Sequence, residues 1–374
     1  MSRPTSVAIA TNVHTRNDVR IVIKQARALR DAGHCVTLVI ADGLGDAQAD
    51  GIDTVDVGRA DGRLYRALVR GPQVMLRAVR SGANAVHFHD PELLPIAALV
   101  SLFTKTKFIY DVHEDVPRQL LSKSYLPSWA RPVVSRIAEM TERLLAPRMD
   151  AIVTVTPTIH ARFAHFHRRV VTVANYPILE EFHSASRSTR DRDPASICYV
   201  GGIAPIRGIH QLVDAMERVK TDVRLKLAGR LGDGALRTAL TSQTGWTAVD
   251  ELGFLDRDGV ARAFSAATAG VVTFLPEPNH VAAQPNKLFE YMSAGIPVIA
   301  SNFPLWREIV EGADCGICVD PTDPSAIAAA IDFLVENPDR AQEMGRNGRA
   351  AVEREYNWER EADKLLDLYR ELIG

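Results

Sequence analysis

The residues best suited to chemistry lie in short runs where an extended segment gives way to a turn. In Gln284-Pro-Asn-Lys-Leu-Phe-Glu-Tyr-Met-Ser-Ala-Gly-Ile-Pro-Val-Ile-Ala-Ser301 a helix is expected to open just after Pro285 and to close at Gly295, ahead of a buried strand. The open N–H groups of a helix N-terminus attract anions. Lys287 adds a full positive charge in the first turn, and Glu290, three residues on, lies on nearly the same face one turn deeper. A phosphate cradle backed by a carboxylate suits a nucleotide, with the phosphates at the helix end and the ribose hydroxyls on the acid. The plainer alternative is a capped helix whose Lys287 and Glu290 form a solvated pair of roughly 0.2–0.5 kcal/mol.

A second set of polar groups lies in the first half. Tyr110-Asp-Val-His-Glu-Asp115 follows an expected strand and puts His113 at the rim where parallel sheets bind ligands. His87-Phe-His-Asp-Pro-Glu92 ends another strand; alternation places His87 and His89 on one face, and Asp90 begins the loop. Asp90 or Glu92 could bind an acceptor, with a helix cap at Asp90 as the equal alternative. The loop His14-Thr-Arg-Asn-Asp-Val-Arg20 is dense in hydrogen-bonding side chains, so His14, Asn17, Asp18 and Arg20 are candidates for acceptor or diphosphate contact.

Other signals carry less. Cys315-Gly-Ile-Cys318 has zinc or redox spacing but no second pair, and His160, His165 and His167 do not converge on one helical face, so no metal is expected. Asp191-Arg-Asp193 and Asp256-Arg-Asp258 read as a linker element and a helix cap. Arg59, Arg63, Arg66, Arg70 and Arg77 form one helical stripe if Gly71-Pro72 only kinks it, either a solvated basic face or an interfacial membrane contact.

These groups must be positioned by a chain of 374 residues, enough for about two domains. Short β-branched runs alternate with helical periods, the pattern of parallel α/β units. In the first half the strands are expected at Val7–Ala10, Val36–Ile40, Ala85–His89, Phe108–Val112, Ala151–Val155 and Val170–Ala174, with helices such as Ile21–Ala32 and Val133–Leu145. Residues 177–195 read as a linker. The pattern then restarts with strands at Ile197–Val200, Arg224–Ala228, Val271–Phe274, Val298–Ala300 and Ile317–Val319 and helices at Ile209–Val219, Asp258–Ala266, Lys287–Ser293, Ser325–Glu336 and Trp358–Leu372. The expected architecture is α/β: two Rossmann-like domains, 1–176 and 196–355, with parallel sheets facing across a cleft and a terminal segment, 356–374.

Charge divides the halves. Residues 1–176 carry 23 Lys and Arg against 16 Asp and Glu, and the remainder 21 against 30. A basic first half favours an anionic partner, such as a phosphate-bearing substrate or the inner face of a membrane, while the near-neutral total argues against nucleic acid. Four scattered Cys, no signal peptide and no apolar run long enough to span a bilayer suggest a cytoplasmic setting. No Gly-X-Gly-X-X-Gly follows the first strand, which disfavours a dehydrogenase.

The run Pro285-Asn-Lys-Leu-Phe-Glu-Tyr-Met with Ala294-Gly-Ile-Pro-Val-Ile-Ala resembles the donor-binding signature of retaining GT-B glycosyltransferases of family 4. The resemblance extends over nearly the whole chain. Tyr199-Val-Gly-Gly-Ile-Ala-Pro-Ile-Arg-Gly208 is similar to the loop opening the family's second domain, Leu252-Gly-Phe to the segment that follows, and Cys315-Gly-Ile-Cys-Val-Asp-Pro to its late turn. Ala32-Gly-His-Cys-Val looks like the first helix-to-strand turn, and Tyr356-Asn-Trp358 like the entry to the helix that crosses back to the first domain.

The resemblance implies a nucleotide-diphosphate sugar donor, of UDP or GDP type, held by Gly201, Gly202, Arg207, Asn286, Lys287, Leu288 and Glu290. It also implies His113 beside the transferred sugar, a glycan or lipid-linked acceptor, and no metal or other cofactor. Two departures stand out. The first of the family's two spaced glutamates is Ala282 here, leaving Asn279 or the Pro278–Gln284 backbone to hold the sugar; and Gly202 stands where an Arg is common, with Lys287, often apolar in relatives, restoring the charge. A nucleotide-sugar epimerase of the same architecture and a two-lobed ligand-binding protein are the alternatives.

Overall fold

The computed structural model describes residues 5–123, 126–182, 196–232 and 234–374. The chain forms two compact units: Met1–Asn175 together with Arg360–Gly374, and Tyr176–Glu359. No described helix is long and apolar enough to cross a membrane.

In the first unit, strands β1 (Ser6–Ala10), β2 (Cys35–Ile40), β3 (Ala47–Ala49), β4 (Ile52–Asp56), β5 (Ala85–Phe88), β6 (Lys107–Val112), β7 (Ala151–Thr154) and β8 (Val170–Thr172) form one sheet. Its order is β3-β4-β2-β1-β5-β6-β7-β8. Every pairing is parallel except β3 with β4. The central strands are buried on both faces, as Val7 to Ala10 and Ala85 to Phe88 illustrate, because helices cover both sides. Strand order reverses at β1 and β5, so the loops after them diverge and leave a crevice at the carboxyl edge.

In the second unit, β9 (Ser196–Val200), β10 (Arg224–Ala228), β11 (Val249–Gly253), β12 (Ala269–Val272), β13 (Val298–Ser301) and β14 (Gly316–Val319) follow the order β11-β10-β9-β12-β13-β14, all parallel. The reversal here lies between β9 and β12. Apolar clusters around Tyr199, Leu212 and Ile331, and around Phe264, Tyr291 and Trp306, fill the two sides of this sheet.

Several expectations are corrected. The first sheet has eight strands rather than six, because the antiparallel β3 and its neighbour β4 extend its edge. The first helix starts at Val19 rather than Ile21, and Val19–Ala26 is wound as a π-helix before Arg27–Asp31 continues as α. Its wide turns bury Arg20, Lys24 and Gln25, an uncommon feature that concentrates at functional sites. Most of the expected linker, 183–195, lies outside the described residues; Leu179–Phe182 makes a 3-10 turn.

The helix through Gly71-Pro72 is nearly continuous, Arg63–Tyr65, Arg66–Arg70 and Gly71–Arg80 joining with Gly71 in helical geometry. Its arginines are not one free stripe, however. Arg66 grips Glu92 at 2.8 Å, and Arg70 donates to the carbonyls of Val57 and Arg59 and to Gln73. Residues 360–374 lie in the first unit as part of the Trp358–Ile373 helix, with Leu365, Leu368 and Tyr369 buried.

Candidate active site

In the second unit, the Asn286–Ser293 helix begins after Pro285 with no side chain capping it, so its first-turn N–H groups face outward. Leu288 is buried and anchors the helix, and Asn286 is exposed at its start. Lys287 turns its amine into a box of rings, 3.8 Å from the centre of Tyr199 and 5.3 Å from that of Phe274. The Nζ is buried and has no hydrogen-bond partner among the described residues. Burial, and secondarily the Arg207 charge, push this amine down to about 7.

The Arg207 guanidinium stacks 4.2 Å from the Phe274 ring, and Arg207 has no acid partner among the described residues. Burial lowers its pKa as well. Gly201 makes room for this arrangement. At φ 132° it occupies backbone space that side-chain-bearing residues avoid, and a Cβ there would lie 2.9 Å from the Lys287 amine. Gly202 is exposed, and its carbonyl accepts from the Tyr199 hydroxyl at 2.7 Å.

The solvated Lys287–Glu290 pair does not form. Glu290 instead accepts from Arg257 at 3.2 Å, and Arg257 also binds Glu181. Arg257, which holds Glu290, is not among the residues that the sequence marks as candidates for this site. Its only signal was the Asp256-Arg-Asp258 string, in which Asp256 does cap the helix through Gly259 N at 2.8 Å. In the loop after β12, Thr273 Oγ1, Asn279 Oδ1 and Gln284 Oε1 are buried without hydrogen-bond partners among the described residues, and Ala282 closes the short Pro278–Val281 helix beside them.

In the first unit, Asp111 is the centre of charge. Wholly buried on β6, it accepts from Arg20 (2.9 Å) and Gln25 (2.7 Å) and lies 3.5 Å from His87, 3.8 Å from His89 and 3.6 Å from His113. Although burial opposes it, the Arg20 charge leads the contacts that hold this carboxyl well below the usual range. The rings of His14, His113, His89 and His87 follow one another at 5.0, 6.0 and 4.9 Å, and His87 bonds the Tyr369 hydroxyl at 2.9 Å. Burial holds His89 well below its ordinary pKa, so it is neutral. His14 is different: burial opposes charging, yet the hydrogen bond it donates to Asp18 and the charges of Asp90 and Asp18 leave its pKa raised.

The acceptor candidates divide accordingly. Asn17 is exposed; Asp18 caps the first helix through Ile21 N and holds His14 at 3.0 Å. Arg20 is buried, with its guanidinium bonded to Asp111 and the Val173 carbonyl. Asp90 is also buried and caps no helix through its side chain. Its carboxylate ties down the loop after β1, accepting from Thr11 Oγ1 and Asn12 N at 2.8 and 2.7 Å, and faces His14 at 3.6 Å. Glu92 is shared by Asn12 and Arg66.

His87, His89 and Asp111 offer ligand atoms within 4.8 Å of one another, but a cation there would meet the Arg20 guanidinium already bound to both Asp111 oxygens. Burial pushes Cys315 and Cys318 up to about 12, so the pair stays protonated rather than offering thiolates.

The chain matches two family profiles, glycosyl transferases group 1 over residues 194–337 and the glycosyl transferase 4-like domain over residues 19–176. It is 25% identical over 315 residues to alpha-maltose-1-phosphate synthase of Mycolicibacterium smegmatis, covering 78% of this chain and 79% of that protein. It is 24% identical over 287 residues to the D-rhamnosyltransferase WbpZ of Pseudomonas aeruginosa, covering 73% and 70%. Among solved structures, sucrose-phosphate synthase from Thermosynechococcus elongatus superposes with a TM-score of 0.79 at 20% identity over 99% of both chains. Anabaena HepE in complex with UDP-glucose gives 0.73 at 14% identity over 98% of this chain and 99% of its own. With both of its units matched in sequence and its architecture shared with these enzymes, the chain belongs to the group 1, 4-like glycosyltransferases of GT-B fold.

Proposed function

We propose that the protein transfers a sugar, with retention and without a metal ion, from a nucleotide-diphosphate sugar of UDP or GDP type to a hydroxyl of a glycan or lipid-linked acceptor. The observation that carries this reading is the buried, unpartnered Lys287 amine beside Arg207 and the uncapped Asn286–Ser293 helix. Two cationic side chains and a helix N-terminus supply the positive field that a departing diphosphate needs, preorganised in a partly dry site. HepE was solved with UDP and with UDP-glucose, which favours the UDP arm.

Glu290, steadied by Arg257, accepts the ribose hydroxyls. With Ala282 unable to act as a nucleophile or hold the sugar, the partnerless Thr273, Asn279 and Gln284 oxygens receive its hydroxyls. In the step itself the bond from the anomeric carbon to the phosphate oxygen breaks and the bond to the acceptor oxygen forms on the same face. The acceptor proton passes to the departing phosphate oxygen. His113 orients the sugar while positive charge develops on its ring, a contribution that belongs to the rate rather than to ground-state binding.

UDP or GDP should raise the melting temperature, since a ligand of the native state alone stabilises it, and transfer should continue in excess EDTA. Activity lost in EDTA and restored by Mn²⁺ would overturn metal independence. His113→Ala should lower kcat at least tenfold, about 1.4 kcal/mol, with nucleotide affinity within about threefold, ~0.65 kcal/mol. Unchanged kcat, or collapse of nucleotide affinity, would make His113 a structural residue.

A further inference from the structure

The Ala130–Leu145 helix covers one side of the first sheet, yet it keeps a row of large apolar side chains in solvent. Trp129 at its start, then Val133, Ile137, Met140 and Leu144 are between 55 and 78% exposed. Spacings of four, four, three and four residues place all five within an arc of about 80° on a helix that turns 100° per residue. A soluble helix ordinarily turns such a stripe inward. Here the inward contacts are made by other residues: Glu142 is buried against Arg162, and Ser135 donates to the Pro117 carbonyl.

Charge flanks the row with one sign. Arg136 borders it and has no acid partner among the described residues, and Arg148, just past the helix end, donates only to the Leu144 carbonyl. The two acids of the helix are neutralised, Glu139 by Arg143 and Glu142 by Arg162. The neighbouring Leu94–Val100 helix packs against this one and leaves Leu99, Leu102 and Phe103 exposed, followed by Lys105.

We infer that the outer face of the Ala130–Leu145 helix is a lipid-docking surface, which seats the first unit on an anionic membrane. An apolar stripe with a Trp at its end and arginines at its margin matches the acyl boundary beneath and the phosphates above. Each basic residue near such a surface adds to its attraction for the anionic headgroups. The surface extends the reading of the acceptor as lipid-linked and rests on it. It replaces the Arg59–Arg77 stripe, whose Arg66 and Arg70 are engaged within the fold, as the place of contact.

The test is co-sedimentation of the full chain with vesicles of phosphatidylcholine containing about one-third phosphatidylglycerol, against phosphatidylcholine alone. The wild type should bind the anionic vesicles. A triple variant, Trp129→Ser with Ile137→Ser and Leu144→Ser, should lower partitioning at least tenfold, and Arg136→Gln with Arg148→Gln should remove its salt-sensitive part. Arg63→Gln with Arg77→Gln should change nothing. Undiminished binding by the triple variant overturns the proposal. So does a wild-type dimer in analytical ultracentrifugation that the triple variant dissociates, with no vesicle binding, because the face then belongs to a second copy. The UDP-induced rise in melting temperature should be the same in every variant; vesicle binding without that rise in the wild type would uphold the docking surface and defeat the donor reading.

Discussion

Replacing Lys287 with methionine should make the protein more stable and a far poorer binder of nucleotide diphosphates. The amine is held down to about 7 by burial, whereas in an unfolded chain it titrates near 10.4. Between those values the unfolded chain binds the extra proton, so stability rises with pH through that window. Below about pH 7 the folded protein bears the whole cost, at about 1.4 kcal/mol per unit, several kcal/mol in all. Methionine removes that cost and fills the space between Tyr199 and Phe274.

On the proposed donor site the same substitution deletes a charge-assisted contact to the diphosphate, so UDP affinity should fall about a hundredfold, ~2.7 kcal/mol. In the wild type the arriving diphosphate raises the amine's pKa, and binding takes up a proton. Affinity should therefore weaken as pH rises above 7, approaching tenfold per unit, and Lys287→Met should flatten that dependence. Titration calorimetry in buffers of different ionisation enthalpy measures both affinity and proton uptake. Wild-type affinity in the variant, with no proton uptake in the parent, would sink the assignment.

The second large effect is expected at Asp111. Asp111→Ala leaves the Arg20 guanidinium buried with only the Val173 carbonyl as partner, a defect that typically costs about 3–5 kcal/mol. Urea unfolding should show this loss, and the triple variant Arg20→Met, Gln25→Met and Asp111→Leu should recover most of it, because apolar side chains of similar volume replace a buried ion pair and the amide that donates to it with little penalty. Since the carboxyl is held well below its ordinary range, the pair's contribution persists at every pH above that range and disappears only in strong acid. A change below about 1 kcal/mol in Asp111→Ala would mean that Arg20 finds water or another acceptor.

The sequence displays the central strands and the donor helix because their signals are local. Runs such as Val7–Ala10 and Val298–Ala300 are apolar and β-branched, and Gln284-Pro-Asn-Lys announces a helix start. Three strands escaped for the converse reason: Ala47–Ala49 is exposed on an edge, Ile52–Asp56 is half acidic, and Val249–Gly253 carries Asp and Glu. Their pairing is supplied by the neighbouring strand rather than by their own residues.

Long-range charge pairing is equally hidden. Arg20 reads as a loop cation, but its partner lies 91 residues away and draws it inward. Glu290 reads as a candidate site carboxylate, while its partner Arg257, 33 residues earlier, resembles a residue behind a helix cap. The departure at Ala282, by contrast, is visible in sequence, and the buried, partnerless oxygens of Thr273, Asn279 and Gln284 lie in the loop on either side of it.

The return of residues 360–374 to the first unit has a consequence for biosynthesis. Tyr369 bonds His87, and the Glu361 carboxylate accepts from Ala174 N, so the first unit lacks part of its own interior until residues 360–374 have been made. At about 5–20 residues per second, the roughly 185 residues between its two pieces take on the order of 10–40 s to make. Through that interval the nascent first unit waits with His87 and its surroundings uncovered, while the second unit, continuous in the chain, can close as soon as it leaves the ribosome. The Trp358–Ile373 helix therefore acts as a latch on the order of assembly: a ribosome that stalls before residue 360 yields a finished second unit joined to an unfinished first one, which is open to chaperones and proteases.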